Sequence, residues 1–211
     1  MLFRSYRDRY DPADIQLRPN VPEDRAEDAR EMLAGYYAHC TALDDCVGGL
    51  MDTLAECGIE ENTLFVFTSD HGDMLCSHGQ EKKQRPYEES VRVPFLLRDP
   101  RLGARQVDFQ IDAQDIMPTL LSLCDLEIPD TVQGRDLSPL TRGESVEHED
   151  AVLLSCYVPF GQWTRDRGGR ECRGVRTDRY TYVRTLEGPW MLFDNQEDPC
   201  QMENLVQSPA H

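Results

Sequence analysis

A chain of 211 residues is long enough for one domain, or one and a half, and can bury a sizeable core. Its 39 acidic residues against 22 basic ones give a formal net charge of −17, which argues against nucleic acid or an anionic membrane surface as a partner. No apolar run of about 18 residues exists, so no membrane span is expected. The eight cysteines are scattered without a Cys-x-x-Cys and fit neither a zinc ribbon nor a disulfide scaffold; most read as free thiols.

Residues 1–21 are polar and punctuated by Asp11-Pro12, Arg18-Pro19 and Val21-Pro22, which reads as an extended arm. No apolar segment of the signal-peptide kind follows Met1. Asn20 with Glu23 has capping-box spacing and opens a long helix running to about Cys57. Its apolar positions Ala29, Leu33, Tyr36, Cys40, Leu43, Val47, Leu50 and Leu54 advance by threes and fours, so one stripe faces a core. Gly58 is a natural stop, and Gly58 to Asn62 makes a tight loop into the next element.

That element, Leu64-Phe65-Val66-Phe67, is apolar without alternation, as in a parallel-sheet strand covered on both faces. It ends abruptly in Ser69-Asp70-His71-Gly72-Asp73, placing an acid and an imidazole where a strand runs out. Crevices of this kind bind ligands in α/β sheets; the bland alternative is a solvated turn, which Asp and Gly also favour. Gly72 is read as permitting a sharp turn. After a polar stretch from Met74 to Arg85, Val93 to Leu97 reads as a strand, with Pro94 confining it to a strand start or an edge. Asp112 to Leu123 reads as a helix with Pro118 near its first turn. The chain turns acidic over Glu144 to Asp150, a sub-domain boundary. Beyond it Ala151–Cys156, Cys172–Arg176, Tyr180–Arg184 and Trp190–Phe193 are short β-like runs, the last three set as an antiparallel meander.

Taken together these segments resemble the sulfatase family of the alkaline-phosphatase-like superfamily. The matching motifs are Tyr36-Tyr37-Ala38 with Leu43-Asp44-Asp45, Asn62 to Asp73, and His78-Gly79 with Lys83. Tyr87-Glu88-Glu89-Ser90-Val91-Arg92-Val93-Pro94 continues the likeness, as do Arg176 to Tyr180, Leu192-Phe193-Asp194, Glu197-Asp198-Pro199 and Glu203-Asn204-Leu205. The resemblance implies an α/β fold: the C-terminal portion of an alkaline-phosphatase-like mixed sheet flanked by helices (1–145), then a small antiparallel β sub-domain (146–211). It also implies hydrolysis of a sulfate ester or sulfamate with a divalent cation, usually calcium. The second pair of metal ligands falls on Asp70 and His71, and a lysine that contacts the sulfate falls on Lys83, with Lys82 as fallback. By residue chemistry, Asp70 suits a hard cation, whereas His71 leaves manganese or zinc open. The implied partner is a sulfated small molecule or saccharide.

The family's nucleophile is a hydrated aldehyde, formylglycine, made in a Cys/Ser-x-Pro/Ala-x-Arg motif. Cys172-Arg173-Gly174-Val175-Arg176 and Ser5-Tyr6-Arg7-Asp8-Arg9 have the separation but not the Pro or Ala. Asp44-Asp45, an acidic pair inside a helix, is a poor substitute for the first metal pair. The expectation is therefore a C-terminal part of a sulfatase whose nucleophile lies elsewhere, with surfaces prone to self-association. Its compartment is the cytoplasm if Met1 is the true start, otherwise the periplasm or the exterior. A phosphonate or phosphate monoester hydrolase of the same superfamily is the first alternative, and a non-catalytic metal- or partner-binding chain the second. Without the resemblance, Lys83 in Glu81-Lys82-Lys83-Gln84-Arg85 reads as a solvated loop residue. His78 reads as a turn residue. Trp163 is a candidate for substrate contact and Trp190 for the core, while Arg165, Arg167 and Arg170 read equally as contacts to an anionic substrate or as a solvated loop.

Overall fold

In the computed structural model, which describes residues 2–209, the chain divides into two units, Met1–Pro100 and Arg101–His211. The first is built on one helix. The N-terminal arm is not extended throughout: it holds a short helix α1 (Leu2–Arg7) and a 3-10 turn at Pro12–Asp14, where the Asp11 side chain accepts from the Ala13 amide at 2.9 Å. The Tyr10 hydroxyl, 2.6 Å from Thr41 Oγ1, ties the arm to helix α2 (Ala26–Glu56, 31 residues).

The expected capping box at Asn20 and Glu23 does not form. A 3-10 turn, Glu23–Arg25, precedes α2, and Arg25 is its N-cap without a side-chain bond. Asn20 is 4% exposed and its amide donates to Glu89 Oε1 at 2.7 Å. A buried carboxylate needs its donors more than an exposed helix end needs a cap. The apolar stripe is also displaced: α2 buries Ala29, Ala34 and Ala38, while Leu43 and Leu50 are 50% and 56% exposed. At the far end Gly58 takes φ +66° and the Ile59 amide bonds back to the Leu54 carbonyl at 3.1 Å, a glycine-terminated helix end as read from the sequence.

Strand β1 (Phe65–Thr68) pairs with β2 (Phe95–Arg98) in antiparallel register, Phe65 opposite Arg98 and Thr68 opposite Phe95. The parallel arrangement expected for β1 is therefore corrected. An apolar run reports which faces are apolar, not the direction of the partner. Parallel pairing needs a crossover, usually a helix, and the connection from Ser69 to Pro94 carries a 3-10 turn, Ser77–Gly79, and the four-residue α3 (Glu88–Val91). β2 begins directly after Pro94, as that residue requires.

The second unit opens with α4 (Ala113–Leu123), capped by a reciprocal pair in which Asp115 Oδ2 accepts from the Asp112 amide. Pro118 lies at the sixth helical position rather than in the first turn. Its missing N–H leaves the Gln114 carbonyl without the usual helical donor. Gly134 fits beside that carbonyl; a Cβ there would stand 1.8 Å from the Gln114 oxygen. Asp115, 0% exposed, also accepts from the Arg135 amide at 2.8 Å and from its guanidinium at 3.1 and 2.6 Å. After α5 (Ser138–Arg142) come four antiparallel strands in the order β3 (Ala151–Cys156), β4 (Cys172–Thr177), β5 (Tyr180–Thr185) and β6 (Gly188–Asp194). They begin within two residues of where the sequence set them. Cys172, Val183, Met191 and Phe193 fill the buried face. The acidic boundary at 145/146 falls between α5 and β3.

Candidate functional site

The end of β1 carries Asp70 and His71, and the structure brings Lys83, from the connection that follows, against them. The chain leaves Thr68 and turns so that His71 Nε2 lies 3.4 Å from Asp70 Oδ2 and 2.6 Å from Lys83 Nζ. His71 Nδ1 is 2.8 Å from the Gly72 carbonyl, which can only accept, so Nδ1 carries the proton and Nε2 presents its lone pair. Ser69 Oγ donates to the His71 carbonyl at 2.8 Å and fixes the turn. The Asp70 side chain is 83% exposed and that of His71 36%, so both open to solvent.

Two lone-pair groups thus face one another, and the Lys83 ammonium, which can only donate, bonds to the Nε2 lone pair, so a cation held at Nε2 would take its place. The 3.4 Å separation of the two groups is less than twice the ~2.0–2.6 Å ligand distances of divalent cations, so one ion reaches both. The Gly72 carbonyl supplies the outer bond that fixes a ligating histidine's tautomer. The donor set therefore fits a cation in part. Among the described residues no group of three or more His, Cys, Asp or Glu side chains is arranged to hold one.

Gly72 serves the site differently from the sequence reading. Its φ is not in the left-handed region; what it provides is room. Its amide donates to the Ser90 carbonyl at 2.9 Å, and a Cβ would stand 2.0 Å from the Glu89 carbonyl oxygen. Gly72→Ala is expected to cost about 1–3 kcal/mol, as overpacking does, and to displace His71. A thermal melt of the variant checks the cost, and an unchanged melt would show that the α3 backbone gives way freely.

Residues outside the sequence-derived set hold the surroundings. Glu89 accepts from Asn20 and, at 3.0 Å, from Arg18; burial raises its carboxyl, but these bonds outweigh it and hold it below its ordinary range. His78 stacks on Tyr87 with ring centroids 4.0 Å apart, and its amide donates to the Asn20 carbonyl at 2.7 Å, a turn residue as read. Lys82 is exposed. Asp73 accepts from the amides of Leu75 and Lys82. Its bond to the residue two on is the ordinary Asx turn, a signal present in the sequence. Asn20 and Glu89 had none, since their pairing spans most of the first unit.

In the second unit Arg165 pairs with Glu171, Arg170 lies 3.9 Å from Glu187, and the Arg170 guanidinium sits 5.5 Å over the Trp190 ring. Trp163 ends a 3-10 turn. Asp44 and Asp45 are exposed on α2, and Cys172 is buried in β4.

Residues 3–126 match a model described as Sulfatase, more than half of the chain. The chain belongs to the sulfatase family. Residues 76–211 also match a model described as N-sulphoglucosamine sulphohydrolase, C-terminal. The sulfatase chain is 40% identical over 214 residues to the ulvan-active sulfatase of Formosa agariphila, covering 98% of this chain and 41% of that protein. A Bacteroides thetaiotaomicron structure tied to the metabolism of multiple glycosaminoglycans superposes with a TM-score of 0.79 at 32% identity, covering 99% of this chain and 46% of that one. A phosphonate monoester hydrolase from Silicibacter pomeroyi gives 0.77 at 28% identity, covering 100% and 44%. The sulfatase chain thus spans less than half the length of these relatives, and its mixed α/β fold is that of their C-terminal part.

Proposed function

We propose that Asp70, His71 and Lys83 form part of the cation- and sulfate-binding apparatus of a sulfuric ester hydrolase acting on a sulfated saccharide or small-molecule sulfate ester or sulfamate. The observation that carries the reading is their convergence at the end of β1 in a sulfatase-family chain. Asp70 offers carboxylate oxygen to a divalent cation, calcium in the first instance. His71 offers Nε2, which keeps manganese and zinc in the comparison. When bound, such a cation offsets charge on the sulfate oxygens as the S–O bond breaks. The Gly72 carbonyl keeps the His71 proton on Nδ1, away from the cation. Lys83 brings a fixed ammonium to the same anionic group. The nucleophile, expected to be formylglycine, and the remaining ligands are assigned to sulfatase sequence outside these 211 residues. The saccharide reading is supported by the ulvan and glycosaminoglycan relatives.

Titrating calcium, manganese and zinc into the purified chain tests the proposal. Binding in about the millimolar range, at the weak end for calcium sites, is expected for the wild type and is expected to vanish in Asp70→Ala and His71→Ala. Binding that survives both substitutions would place the cation elsewhere. The similarity to a phosphonate monoester hydrolase supports a second reading, phosphonate ester hydrolysis at the same residues. Assaying both ester classes with a full-length relative separates the two.

A further inference from the structure

The candidate site depends on a loop whose shape the site residues do not themselves explain. Between Met74 and Lys82 four non-glycine residues hold positive φ: Leu75 at 44°, Cys76 at 69°, His78 at 53° and Lys82 at 63°. Each is a conformation that L residues avoid, so the loop keeps its form only because its surroundings impose it. The middle is held by burial, with Met74 and Cys76 0% exposed and Ser77 3%. The ends are held by Asp73. Its Oδ1 accepts from the Leu75 amide and from the Lys82 amide, both at 3.0 Å, while the Met74 amide donates to the Lys82 carbonyl at 2.7 Å. One carboxylate oxygen therefore grips the first and last turns of the loop.

Lys83 follows immediately. Its side chain is long and flexible, so its 2.6 Å approach to His71 depends on where the backbone releases it. We propose that Asp73 is a positioning residue: by fastening the loop ends and holding Lys82 in its left-handed conformation, it sets the Lys83 ammonium against His71. It acts through the backbone. If the clasp is lost, Lys82 is free to relax to negative φ and the chain direction at residue 83 changes. The proposal rests on the reading of Lys83 as the sulfate contact only for its functional meaning; the clasp itself is separate.

The test is acetylation of lysines in the full chain, quantified by mass spectrometry for the wild type, Asp73→Ala and Asp73→Asn, with and without inorganic sulfate. Loss of two hydrogen bonds to a charged acceptor is expected to raise the Lys83 rate roughly tenfold in Asp73→Ala. Lys82, already exposed, should change little. Asp73→Asn keeps an oxygen at the same place and is expected to stay close to the wild type. An unchanged Lys83 rate in folded Asp73→Ala overturns the proposal, and so does an asparagine variant as altered as the alanine one. Hydrogen exchange on the wild type guards against a variant that fails to fold: the Leu75 and Lys82 amides are expected to be protected together, and rapid exchange of both overturns the clasp. Sulfate is expected to slow Lys83 acetylation in the wild type. Absence of that protection removes Lys83 from the sulfate site, whereas the clasp stands or falls on the Asp73 variants and the amide exchange.

Discussion

Asp115→Ala is expected to lower the stability of the second unit by about 3–5 kcal/mol, because it leaves the Arg135 guanidinium, whose side chain is only 18% exposed, with carbonyl acceptors but no carboxylate. Arg135 loses the carboxylate that receives its amide, Nε and Nη2, and the Asp112 amide loses its acceptor at the head of α4. Arg135→Ala should cost a similar amount for the opposite reason, leaving a carboxylate 0% exposed without its cation. The double variant should cost less than the two single effects combined, since each change removes the other's penalty. Thermal or denaturant unfolding of the three variants checks this, and simple additivity would show that the two residues do not act as a pair. The pH dependence follows from the same contacts. Burial pushes the Asp115 carboxyl up, but the bonds from Arg135 and Asp112 outweigh it and hold it below its ordinary value of 3.8. The folded pKa is thus the lower one. The contribution is complete above the unfolded value and is lost as pH falls through the folded one. Acid should therefore weaken the wild type more steeply than Asp115→Asn.

The purified chain is expected to give no turnover of a chromogenic aryl sulfate. On the proposed reading Asp70, His71 and Lys83 gather a cation and an anionic group, but neither Cys172-Arg173-Gly174-Val175-Arg176 nor Ser5-Tyr6-Arg7-Asp8-Arg9 has the third residue that the family's nucleophile motif requires. Cys172 is moreover buried in β4. Positioning and charge stabilisation without a nucleophile leave the chemical barrier largely in place. The measurement is hydrolysis by the wild type and by Asp70→Ala. Turnover that disappears with Asp70 would show that these 211 residues hold a working nucleophile and would overturn its assignment elsewhere.

What is legible in the sequence follows from the range of the interactions involved. The four strands beyond Ala151 are readable because alternation and turn residues are local, and their burial on one face keeps period two. The acid–imidazole pair is readable because it interrupts an apolar run. Lys83 stands out only through the family resemblance, since charge alone places it in a solvated loop. The direction of β1 escapes a reading of its residues because directionality depends on the connection, not on the strand. Asn20 looks like a helix end because the capping-box rule is local, whereas its partner Glu89 lies 69 positions away. The stripe on α2 looks like a core face, yet in this chain the alanines are buried and Leu43 and Leu50 are not. Asp115 is invisible as a centre of the second unit because its partner, Arg135, is 20 positions on and reaches it through tertiary packing.

The pairing of Thr68 with Phe95 has a consequence for how such a chain can diversify. Asp70, His71, Asp73 and Lys83 all lie between those two neighbours, on an excursion that leaves the sheet and re-enters it at adjacent residues. A segment closed off in this way behaves as a cassette. Its length and chemistry can change at the modest cost of closing a longer loop, while β1 and β2 keep their register. On the proposed reading, proteins that share this frame can change the anionic ester they accept by altering the excursion alone, with the two strands left as they are.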